Sequence, residues 1–222
     1  MTADALTATH ALARRYLRWA CLRSTLSRGY WLVTAVYLVT VAHLSPPQLV
    51  LIGTCQGLTV LFAEVPCGVL ADAVSRRLSL VLGHVVMGSG MAMAGLVTAF
   101  PLLVVSQCFW GLGWAFSSGA DVAWATDELE QHIDLDRVLV AQARWDLLGT
   151  PLGIVAFGVL AAVTTLSTAI IGSGASMVVL GLLIVARWPE DRFTPAPAGR
   201  RWHEAGSICA AASASPGLTG WS

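Results

Sequence analysis

Residues 64–77 read EVPCGVLADAVSRR, from Glu64 to Arg77, and close an apolar run on a glycine, an acid and two arginines. That composition fits a helix leaving the hydrocarbon of a membrane and turning sharply at its polar face. Gly68, with no side chain, permits close approach of another backbone. Asp72, near the helix end, is placed to bond free N–H groups or to pair with a cation. Arg76 and Arg77 are expected to hold the turn among anionic headgroups.

Working outward, the whole chain has the same character. Of its 222 residues, 56% are hydrophobic and only 12% charged, with a mean hydropathy of +0.70. Soluble domains carry about a quarter charged residues, so the fold class is an all-α integral membrane protein whose first partner is the lipid bilayer. The formal net charge is zero, which gives no bulk electrostatic attraction to nucleic acid. Cys21, Cys55, Cys67, Cys108 and Cys209 form no C-x-x-C pair and have no histidine at zinc-ligand spacing, so neither a metal site nor a structural disulfide is expected. No removable signal peptide is read at the polar N-terminus.

Six apolar runs are long enough to approach the roughly twenty residues a crossing helix needs. They cover about 29–44, 48–71, 78–99, 102–126, 145–163 and 166–186, with breaks at Ser45-Pro46-Pro47 and Phe100-Pro101. Residues 1–28 form a basic lead-in whose Leu12, Tyr16, Trp19 and Leu22 fall at helical spacing, as for a helix lying on the membrane surface. Residues 127–143 carry Asp127, Glu128, Glu130, Asp134 and Asp136, and two readings stand: a short surface helix or a solvated linker. Residues 189–222, rich in Ala, Ser, Pro and Gly, read as a flexible tail.

All thirteen basic residues are arginine. They occupy the N-terminal segment, the second-to-third loop (Arg76, Arg77), the fourth-to-fifth loop (Arg137, Arg144) and the segment after the sixth span (Arg187, Arg192, Arg200, Arg201). The alternate loops have none. The positive-inside rule therefore places both chain ends in the cytoplasm of a multi-pass cell (inner) membrane protein.

The spacing Gly68-x-Leu70-Ala71-Asp72-x-x-Ser75-Arg76-Arg77 resembles the signature loop between the second and third spans of the major facilitator superfamily, with Ala73 where a basic residue is usual and Ser75 where glycine is usual. The likeness covers roughly residues 29–190, the six-span N-terminal half. It implies a six-helix bundle built as a 3+3 inverted repeat, rocker-type alternating access, and export of a small amphipathic or drug-like molecule. In that family Asp72, Arg76 and Arg77 would form a latch at the inner face, working against a second half. Partners implied are a small-molecule substrate and a second six-span half or a homodimer. The alternative is a truncated, transport-incompetent fragment or an assembly partner. No cofactor is implied, and coupling to a proton gradient stays open.

Ionisable groups at membrane depth are costly and usually functional. Glu64, followed by the helix-kinking Pro66, is one; Asp121 is the other. At about 100° per residue, Trp110, Trp114, Ser117, Asp121, Trp124 and Glu128 share one stripe of the fourth span. Such a stripe lines a binding pathway, or it packs as core with the acid paired to an arginine. Gln107-x-x-x-Gly111-x-Gly113 resembles the family's fourth-span pattern, with Gln107 in place of an arginine linked to proton movement. Gly149, Pro151 and Gly153 in the fifth span fit close helix packing or a hinge. His43 and His84 are relay candidates; interfacial placement is the simpler reading. Tyr30, Trp31 and Tyr37 read first as interface anchors. No histidine lies between His132 and His203, so the last two spans offer no base for intramembrane hydrolysis, and an enzyme is not expected.

Tags fused to the two ends should both be shielded from an impermeant reagent in intact cells and both become reactive in inverted vesicles. Ends of opposite accessibility would remove the topology drawn from the arginines.

Overall fold

The computed structural model describes residues 3–129, 133–190 and Phe193. Glu130, His132, Arg192, Arg200, Arg201, His203 and Cys209 lie outside the described residues. The described chain forms seven helices: α1 (Ala3–Thr40), α2 (Pro46–Ala73), α3 (Arg76–Leu96), α4 (Phe100–Ser117), α5 (Ala120–Leu129), α6 (Leu135–Val163) and α7 (Leu166–Arg187). α2, α3, α6 and α7 are each long and apolar enough to cross a membrane, as is the α4–α5 segment taken together.

The helix ends follow local chemistry. Ser45 precedes α2, with Pro46 and Pro47 in the first turn, where a missing N–H costs nothing. Pro101 opens α4 in the same way, so Phe100-Pro101 starts a helix and the turn lies just before it. Asp134 accepts from Arg137 N to start α6, and Thr165 accepts from Thr168 N to start α7. The acidic 127–143 segment therefore divides between the end of α5 and the first turns of α6, with no separate surface helix among the described residues. The expected fourth span is one path in two pieces. Ser118 ends α4, and Gly119 adopts φ +76°, a conformation suited to glycine, before α5 begins.

The first span departs most from expectation. α1 is one continuous helix of 38 residues, about 57 Å long, and the boundary drawn at residue 28 has no structural counterpart. Tyr16, Trp19 and Ala20 are buried in the bundle, so this segment is packed protein, not a surface-lying helix. α1 also stops at Thr40, short of the predicted Leu44.

Packing is built on glycines. A Cβ on Gly113 would sit 2.5 Å from Gly83 O and Met87 N, and one on Gly174 would sit 2.5 Å from Ala92 N and 2.6 Å from Gly88 O. These contacts join α3 to α4 on one side and to α7 on the other. Gly149 is as close to α1, 2.7 Å from Cys21 O; a Cβ on Gly153 would overlap Thr25 O, and one on Gly111 would reach Gln56 O of α2 at 3.0 Å. Gly149 and Gly153, read as close-packing positions, thus lie against α1, and Gly111 lies against α2. Gly68 differs: a Cβ there meets nothing within 4 Å, so no backbone of the described chain uses the space it leaves. In outline, α3 lies on α7, α1 lies on α6 and α7, and α4 lies on α2 and α3.

Replacing Gly113 by valine puts side-chain atoms into the α3 backbone and should cost about 3 kcal/mol, whereas Gly68→Ala should leave stability unchanged. Thermal unfolding in detergent reads both.

Candidate functional site: an arginine–tryptophan cavity at the depth of the apolar helices

α6 packs along α1 so that Gly149 meets Cys21 and Ser24, and Gly153 meets Thr25 and Gly29. The segment Cys21–Gly29 therefore lies beside the apolar stretch of α6. A length count agrees: about twenty residues are needed to cross 30 Å, and counted back from Thr40 they reach Cys21. Arg23 and Arg28, read from sequence as part of a surface lead-in, sit level with the apolar stretch of α6.

There they border a cavity of about 220 Å³ with Ser24, Ser27, Trp31, Met87, Trp110, Trp114 and Asp146. Three indoles form its aromatic wall. Trp110 and Trp114 stack at 5.6 Å with 10° between planes, and Trp31 meets Trp110 edge-on at 5.1 Å. The buried Trp110 Nε1 and Asp146 Oδ1 have no hydrogen-bond partner, leaving one donor and one acceptor among the lining side chains.

Arg23 is the best-held charge of the group. Its guanidinium lies 5.0 Å from the Trp19 ring centre and 5.7 Å from that of Trp114, and Nη2 is 3.6 Å from Asp121 Oδ2. Indole faces and a carboxylate together offset the cost of a cation at this depth. Of the two readings of Asp121, pairing with an arginine is the one observed. Arg28 is exposed and forms no ion pair among the described residues.

The predicted pathway residues are only partly brought together. Trp110 and Trp114 line the cavity, and Asp121 reaches it through Arg23. Gln107 is buried and donates from Nε2 to Tyr30 Oη at 2.7 Å. Ser117 turns into the α3–α4 seam, donating to Gly113 O at 3.1 Å. Glu64 lies on the exposed face of α2 and accepts from Ser118 Oγ at 3.1 Å, away from the cavity. The bend at Gly119 splits the stripe, sending Trp124 into a second cluster, where it meets Trp188 at a tilt, 4.1 Å between ring centres, and stacks on Tyr16 at 6.1 Å. His84 is fully buried, with Nε2 accepting from Trp19 Nε1 at 3.1 Å and Nδ1 2.7 Å from Leu80 O, so both nitrogens have local structural partners. Tyr30 and Tyr37 are also buried, and Tyr37 donates to Val97 O at 2.9 Å, so neither is an interface anchor.

The signature turn is internally tied. Arg76 pairs with Asp72 at 3.4 Å and with Asp127 of α5, and also donates to Ala123 O at 2.6 Å. Arg77 donates from Nη1 to Trp188 O at 2.8 Å and from its backbone N to Glu190 Oε1 at 2.9 Å, while Ser75 Oγ donates to Glu190 Oε2 at 2.6 Å. These guanidinium groups are held by partners from α5 and the end of α7. Ser75 has φ −175°, extended backbone open to any residue, so glycine is not required there. Pro189 and Glu190, assigned from sequence to a flexible tail, are tied down by Trp124 and by this turn. The remainder of that tail, from residue 194, lies outside the described residues.

No family model matches the chain, and no curated protein matches it.

Sequence reasoning missed Arg23, Arg28 and Asp146. The available signal was a length mismatch: the arginine-free part of the first span is too short to cross a bilayer by itself. Arg76→Gln leaves Asp72 and Asp127 facing each other without their shared cation and should cost about 2 kcal/mol, read as a lowered unfolding temperature with the cavity tryptophan fluorescence unchanged at room temperature.

Proposed function

We propose that this chain is a transporter-type bundle of the cell membrane that binds a small amphipathic solute in the Arg23–Arg28–Asp146–tryptophan cavity, built like the N-terminal half of a major facilitator protein with both ends cytoplasmic. The observation that carries the proposal is the cavity itself: two arginines and an acid among apolar helices, sharing a space of about 220 Å³ with three indoles. Charged groups are retained in such a place when they face a cavity and serve a ligand or ion path. The volume falls below the range of about 300–1,000 Å³ common for drug-sized ligands, which favours a small solute carrying ionised groups over a bulky drug.

Two further features support the reading. The residues of the signature loop, Asp72, Arg76 and Arg77, lock the α2–α3 turn to neighbouring helices. The pairing of the helices also supports the reading of a 3+3 repeat. Exchanging span one for four, two for five and three for six turns the α1–α6 pair into α4–α2 and the α1–α7 pair into α4–α3, and returns α3–α7 to itself. Movement of solute would follow from rocking around this site, and export is the direction the family likeness favours. With Gln107 bonded to Tyr30 in place of the family's arginine, any proton coupling would run through other groups.

A second reading has its own observation. The apolar residues of α2 and α6 are largely uncovered, among them Leu61 and Phe62 on one and Leu147 and Val155 on the other. This is the surface an assembly partner, a second six-span half or another copy of the chain, would cover, with lipid as the remaining occupant.

The test is flux from liposomes containing the intact chain, with a panel of small aromatic cations, anions and zwitterions and an imposed pH gradient. Gradient-dependent movement lost in Asp146→Asn and Arg28→Gln, and retained in Glu64→Gln, supports the cavity as the pathway. Flux indifferent to Asp146 and Arg28 would overturn it, and no flux with a dimeric or co-assembled species in detergent would favour the partner reading.

A further inference from the structure

Independently of that cavity, α1 and α7 frame a second cleft, of about 190 Å³, at the arginine-rich end of the bundle. Arg15, Arg18 and Arg187 line it, and no carboxylate does. Arg15 Nη1 lies 3.5 Å from Arg187 O, which holds α1 at this level against the end of α7. None of the three arginines forms an ion pair among the described residues. Their exposure leaves three like charges facing the same space.

The rest of the lining is apolar and is arranged by depth. α1 runs from Arg15 to Leu22 and α7 runs in the opposite sense from Leu180 to Arg187. Each step is seven residues, or about 10 Å along a helix axis. All three guanidinium-bearing positions are therefore near one level, and Leu22, Leu180 and Leu183 lie one to two turns deeper. Leu22 and Leu183 are 51% and 42% exposed, so the deeper walls are open on the side facing away from the bundle. Cations above and open leucine walls below form an amphipathic slot with its axis along the helices.

We propose that this slot is a binding site for an anionic phospholipid, with the phosphate among Arg15, Arg18 and Arg187 and an acyl chain along Leu22 and Leu183. Guanidinium groups bind phosphate oxygens bidentately, and basic clefts between helix ends suit acidic headgroups. A free phosphate would use the arginines but leave the leucine walls without a partner, which is why the lipid is the ligand the site fits. A lipid seated here bridges α1 and α7 at the end where Trp19 and Trp188 meet edge-on at 5.2 Å.

The experiment is native mass spectrometry of the delipidated full chain, titrated with phosphatidylglycerol or phosphatidylcholine of identical acyl chains, with glycerol phosphate as competitor. Phosphatidylglycerol should be retained preferentially, and each of Arg15→Gln, Arg18→Gln and Arg187→Gln should weaken its binding roughly fivefold, the effect of about one basic side chain near the surface. Arg14→Gln, on α1 but outside the cleft, should leave binding unchanged. All four positions are exposed, and an unaltered unfolding temperature in lipid-free detergent confirms that each variant is folded. Equal retention of the two lipids, or equal weakening by Arg14→Gln, would overturn the site. Full displacement by glycerol phosphate would reduce it to a phosphate site and overturn the lipid assignment.

Discussion

Close backbone contact at glycine is the constraint on which this bundle rests. Lipid tails are as apolar as leucine, so burying apolar surface between helices gains little in a membrane, and association depends on packing distance. Gly83 with Gly113 and Gly88 with Gly174 bring α4 and α7 onto opposite faces of α3, and Gly149 and Gly153 bring α6 onto α1. α3 is accordingly the most enclosed of the crossing helices, while α2 and α6 remain open on their outer faces.

The positions of charge follow from these contacts. Because α6 meets α1 at Cys21 through Gly29, Arg23 and Arg28 are drawn level with the apolar stretch of α6. A guanidinium there needs partners, and Arg23 has them in Trp19, Trp114 and Asp121. The large indoles of α4 cannot enter the glycine seam on α3, and Trp110 and Trp114 instead stack beside it and wall the cavity. Cavity and seam are two consequences of one distribution of small and large residues along α4.

The arginine-rich end is organised by a different means. Arg76, Arg77, Ser75 and Glu190 make a network joining the α2–α3 turn to α5 and to the chain beyond α7, and Tyr16, Trp124 and Trp188 cluster beside it. The motif that decides the fold class in the sequence is thus a structural clasp within the described residues. The two cavities lie beside it, one among α1, α3, α4 and α6 and one between α1 and α7.

Much of this was legible in the linear sequence. Apolar runs gave the five segments long and apolar enough to cross a membrane, and proline, serine and threonine gave helix starts. These are local or periodic properties, carried by residue type and spacing alone. Depth and pairing were not legible: that Arg23 meets Asp121, that Ser117 faces the seam and not the cavity, that Glu64 stands outside it, and that Trp188 is core. Each depends on which helices touch and at what register, and register is set by glycine contacts between segments far apart in the chain, which no local pattern encodes.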